Sequence, residues 1–70
     1  MQTALVDGQT VTIGDWVCFK CDIEQSGQIV EIKQSYTGKA LVLQNNNGFH
    51  GDYIGGETVH TESAVDCWLN

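Results

Sequence analysis

Along this chain, short runs of Val, Ile, Thr and aromatic residues alternate with polar positions, and glycine or asparagine clusters separate them. That is the pattern of short, half-buried strands. No apolar stripe at i, i+3, i+4, i+7 survives between the glycines, so helix is not expected beyond a single turn. The spacing predicts strands at 3–6, 10–13, 16–21, 28–34, 40–44 and 57–61, with a closing strand at 67–69. Asp7-Gly8 and Gly14-Asp15 read as tight turns, and 22–27 and 35–39 as polar connections. Residues 62–66 read as one 3-10 turn with Thr61 as its cap.

Alternation assigns the faces. In 16–21, Val17 and Phe19 share one side while Trp16 and Cys18 share the other. In 28–34, Val30 and Ile32 share a side opposite to Ile29, Glu31 and Lys33. The expected core is Val17, Phe19, Val30, Ile32, Leu41, Leu43, Val59 and Leu69. Strands this short bury little as an open sheet, so the expectation is an all-β, small barrel of about five antiparallel strands, which removes free edges. A chain of 70 residues makes one domain. Its barrel core is expected at about 13–69, with 1–12 as a hairpin-like extension.

Ile13-Gly14-Asp15-Trp16-Val17 followed by Gly27-Gln28-Ile29-Val30-Glu31-Ile32 resembles the opening of SH3-like barrels of the KOW and Tudor kind. The turn at 62–66 before a last strand is similar to their terminal helical turn. The resemblance implies an SH3-like fold for 13–69. The whole chain also resembles the short proteins carried by tailed bacteriophages, which implies a phage-encoded protein acting in the host cytoplasm.

Composition narrows the function. Nine carboxylates stand against three lysines and no arginine, for a net charge of -6. Nucleic-acid affinity depends on basic groups neutralising phosphates, so direct binding to DNA or RNA is not expected. The KOW domains that touch RNA are basic, and this chain is not. Its field favours basic protein surfaces instead. The apolar runs are far shorter than the ~20 residues of a membrane helix, and no signal segment is expected. Three cysteines, an odd number, fit reduced thiols in a cytoplasm better than a disulfide framework.

Candidate chemistry is sparse. Cys18-Phe19-Lys20-Cys21 is a C-x-x-C that could pair with Cys67 and His50 or His60 around zinc. On a strand, positions i and i+3 face opposite ways, so no metal and no cofactor is expected. Neither histidine has a nucleophile and an orienting group in reach of sequence reasoning, so an enzyme is not expected. The glycines at 48, 51, 55 and 56 lack the Gly-Lys-Ser/Thr of a phosphate loop.

The long connection 45–56 is different, because it carries Phe49, His50, Asp52, Tyr53 and Ile54 between asparagines and glycines that leave its ends mobile. The apolar Phe49, Tyr53 and Ile54 either plug the barrel or form a partner-binding surface, and the surface is the favoured expectation. Trp16, Tyr36 and Trp68 extend the candidate set, and with Tyr53 they could form an aromatic groove. The leading expectation is therefore a non-enzymatic acidic module that binds a basic host protein. The alternatives are an aromatic-groove module for peptides and a minor component of virion assembly.

Overall fold

The computed structural model describes residues 2–36, 38–51 and 55–69. Strand β1 (Thr3–Val6) pairs antiparallel with β2 (Gln9–Thr12). Asp7 and Gly8 join them with φ of 53° and 74°. Two successive positive φ values make the turn whose twist matches paired strands, and Asp-Gly is a sequence that tolerates it. A second sheet is formed by β3 (Trp16–Cys21), β4 (Ile23–Ser35), β5 (Gly38–Gln44) and β6 (Val59–Ser63), in that order and all antiparallel. A 3-10 turn, Ala64–Asp66, follows β6. Cys18 and Trp68 then form an isolated bridge, exchanging N–H···O bonds of 2.8 and 2.9 Å.

The all-β expectation with one 3-10 turn describes the molecule. The barrel of about five strands does not. Six strands lie in two sheets, and among the described residues no closed barrel forms. The segment 67–69 contributes a bridge rather than a strand. The 3-10 turn is also shorter than expected, because β6 continues through Ser63, which replaces Thr61 at the turn's start.

The polar segment 22–27, expected as a loop, mostly belongs to β4. Asp22 alone makes the turn, at φ 72°, between the paired residues Cys21 and Ile23. Aspartate is among the few residues that tolerate that left-handed conformation. Beyond it, Glu24 and Ser26 face solvent while Gln25 and Gly27 face inward, so the strand alternates without showing a hydrophobic pattern.

A bulge then changes the parity of β4. Its register against β5 shifts between Ile29 and Glu31, leaving Val30 as the extra residue. An extra residue rotates everything beyond it to the other face. Ile29 and Ile32 therefore both point inward, three positions apart, and Val30 is 40% exposed. This corrects the assignment of Val30 to the core and of Ile29 to the opposite face. Val59 is likewise exposed, and Leu69 packs only partly against the core. Val17, Phe19, Ile32, Leu41 and Leu43 are buried as expected. Ala4, Val6 and Val11 join them from the β1–β2 hairpin, which is thus part of the same core.

Gly27 is where the interior is tightest. A Cβ there would stand 2.9 Å from Leu43 Cβ and 3.3 Å from the Phe49 ring. Gly27→Ala is expected to destabilise the fold by about 1–3 kcal/mol through overpacking. Urea unfolding of the variant checks this, and an unchanged midpoint would show that the core has slack at this point.

Candidate functional site

The loop after β5 begins with a set of short hydrogen bonds. Asn45 N–H donates to Thr58 O at 2.9 Å, and Asn45 Oδ1 accepts from Asn47 N–H at 3.0 Å. Phe49 N–H donates to Glu57 O at 2.6 Å, and Gly56 N–H donates back to Phe49 O at 2.8 Å. The two ends of the loop are therefore tied together, contrary to the expectation that they are mobile.

This neck drives Phe49 inward, to 1% exposure. Its ring meets Phe19 edge-on at 5.4 Å between centroids and His60 at 6.1 Å. Phe49 is thus a core plug and offers no surface to a partner, which corrects its place among the binding candidates. The following residue is held as well. Gln25 Oε1 accepts the His50 N–H at 2.6 Å, while Gln25 Nε2 donates to Cys21 O at 2.9 Å. His50 itself is exposed. Asp52, Tyr53 and Ile54 lie outside the described residues.

The other candidates separate into two places. Trp16, Cys18 and Lys20 project from the outer face of β3, opposite to Val17 and Phe19. In β4 they face Gln28, Ser26 and Glu24 respectively. The Cys18–Trp68 bridge sets Trp68 beside Cys18 on that same face, because bridged antiparallel residues share a side. Trp16 is then a diagonal neighbour of Trp68, at a separation aromatic side chains can span.

Each tryptophan borders a hollow. One, of about 260 Å³, is lined by Trp68, Cys18, Glu24, Gln25 and Ser26. The other, of about 230 Å³, is lined by Trp16, Gln28, Gln44 and Asn45, Asn46 and Asn47. They adjoin at Ser26, whose carbonyl accepts from Asn45 Nδ2 at 3.1 Å. Trp16 is 53% exposed, so its indole is available. Tyr36 is not part of this face. It sits fully exposed in the turn between β4 and β5, at the end of β4 remote from Trp16's partner Gln28.

The charges divide in the same way. Asp15 Oδ2 accepts from Thr12 N–H at 2.8 Å, and Asp7 Oδ2 from Leu69 N–H at 2.7 Å. Glu62 pairs with His60 at 2.7 Å. These carboxylates hold the fold. Glu24, Glu31, Glu57 and Asp66 are exposed and make no ion pair among the described residues.

His60 and Glu62 form a pair that no motif marks in the sequence, although their i, i+2 spacing in a strand puts both on one face. They turn inward from β6, half-buried, and the imidazole stacks on Phe19 at 5.0 Å with the planes 13° apart. The neighbouring Cys67 thiol is pushed up to about 12 by burial, with Glu62, Asp66 and Cys18 adding to the rise. A thiol in that state is protonated at neutral pH and is a poor nucleophile or ligand. The C-x-x-C splits as its spacing implies, with Cys18 on the outer face and Cys21 packed against the core.

No helix among the described residues is long and apolar enough to cross a membrane. No family model matches the chain, and no curated protein and no solved structure matches it.

Two outcomes follow from this geometry. Phe49→Ala should cost about 3–5 kcal/mol, the usual loss for truncating a buried aromatic. Chemical denaturation measures it, and a loss under roughly 1 kcal/mol would place the ring outside the core. Cys67 gives a pH signature. Its folded value, about 12, lies above the ordinary 9.0, so above pH 9 the unfolded chain loses its proton first. Stability should therefore be intact below pH 9 and decline as pH rises toward 12. In denaturation series at pH 8 and about pH 11, Cys67→Ala should lose less stability than the parent protein over that span.

Proposed function

We propose that this protein is a non-enzymatic binding module whose tryptophan face takes a basic segment of a partner protein. The supporting observation is the Cys18–Trp68 bridge, which brings Trp68 beside Trp16 on the outer face of β3. Glu24 lines the same surface, and the chain carries a net charge of -6. An exposed indole, Trp16, near the half-buried Trp68 and the Glu24 carboxylate suits lysine and arginine side chains, which combine cation–π attraction with ion pairing. Charge of this sign also speeds encounter with a basic partner.

The finer reading is an SH3-like module of the KOW and Tudor kind. It is supported by the sheet order, the 3-10 turn after β6 and the return of Trp68 to β3. The resemblance to tailed-phage proteins adds a host protein in the host cytoplasm as the class of partner. The same face favours a second reading, an aromatic groove for neutral peptides, because Trp16 is 53% exposed.

The two readings differ in their response to salt. Intrinsic tryptophan fluorescence reports binding directly, with lysine- and arginine-rich peptides and neutral proline-rich peptides as probes. The expected result is saturable binding of the basic peptides, weakening about tenfold or more between low and high salt. Trp16→Ala should weaken it by about 2 kcal/mol or more, as a central aromatic anchor does. Glu24→Lys should weaken it with no change in fold. Salt-insensitive binding of the proline-rich peptides alone would replace this reading with the aromatic groove.

A further inference from the structure

We propose that the hollow between β1 and the 3-10 turn binds a small apolar carboxylate. This site lies at the opposite end of β5 from Gln44 of the Trp16 hollow and does not depend on that reading. Its walls are Thr3, Ala4 and Leu5 of β1, Thr10 of β2, Lys39 of β5, and Ala64 and Val65 of the 3-10 turn. Its volume, about 370 Å³, falls in the range of small-molecule pockets, roughly 300–1,000 Å³.

Two features select the ligand. The first is apolar surface left in water. Leu5 is 65% and Val65 80% exposed, one from each side of the hollow. A ligand tail laid between them would remove that surface from water, which is the favourable direction. The second is Lys39. It continues the row of Leu43 and Leu41 along β5, two residues beyond a fully buried leucine, and so emerges where the core opens. It is the one charged side chain among those lining the hollow, and no carboxylate pairs with it among the described residues. In a chain of net charge -6, a lone ammonium beside Leu5, Ala64 and Val65 is a local reversal of sign. Such a wall complements an anionic head on an apolar tail. A second copy of this chain would bring the same negative charge and is disfavoured.

The probes are hexanoate, hexanol and hexylamine, followed by backbone amide NMR of the intact chain. Hexanoate should shift the signals of Leu5, Lys39, Ala64 and Val65 saturably. It should bind about tenfold or more tighter than hexanol, the margin of one charge-assisted contact, and hexylamine should bind weakest. Lys39→Met should erase the preference of hexanoate over hexanol while leaving the rest of the spectrum in place, since the side chain is exposed. Leu5→Asp, at another exposed position, should weaken both. Equal binding of hexanoate and hexanol, or an unchanged preference in Lys39→Met, would overturn the proposal. So would an absence of saturable shifts, or shifts confined to Trp16 and Trp68. Shifts of the same four residues with protein concentration alone would show a second copy on this surface and would also overturn it.

Discussion

The ring of Phe49, seated between Phe19 and the bare backbone of Gly27, is the contact on which the rest of this structure depends. It supplies the bulk that Gly27 omits on the inner face of β4. In doing so it fixes where the loop after β5 must turn. Once Phe49 is placed, its backbone ties to Glu57 and Gly56, and the chain is returned to the sheet edge as β6. Gln25 is constrained from the same direction, with its side chain bridging Cys21 and His50. A small sheet rarely has apolar mass to spare, and here a residue from the longest connection provides it.

Phe19 also bears on β6, whose inward positions are polar. β6 is the edge of its sheet, and its inward positions are His60 and Glu62 rather than aliphatic residues. Inward-pointing charged groups discourage an edge from pairing with other chains. They are tolerated because the imidazole stacks on Phe19 and is hydrogen-bonded to Glu62, so neither polar group is left unpaired. No buried side-chain nitrogen or oxygen among the described residues lacks a partner.

How much of this was readable beforehand can be judged residue by residue. The Asp7-Gly8 turn, β1 and β3 were legible, because local turn chemistry and clean alternation decide them. β4 was not. Gln25 and Gly27 fill inward positions without hydrophobicity, and Val30 carries a bulge that no local signal marks. Their roles are set by Phe49 and by the register against β5. The place of Trp16 and Trp68 at strand ends marks them as candidates, and alternation gives the face of Trp16. Their adjacency was not legible, because it rests on a bridge between residues far apart in sequence. Phe49 could be read as plug or surface, and only the space over Gly27 decides between them.

That bridge also sets the order in which the molecule can be assembled. β3, β4 and β5 are joined by hairpins and can zip together locally. The Trp68 contact to Cys18 and the Leu69 contact to Asp7 instead close loops spanning most of the chain. Loop closure costs entropy before any contact rewards it. The two bridge bonds and the Asp7 cap are backed by Cys67 in the core and by Leu69 packed against it, so this terminal segment closes as part of the whole fold. The tryptophan pair is therefore set by a long-range closure rather than by local pairing.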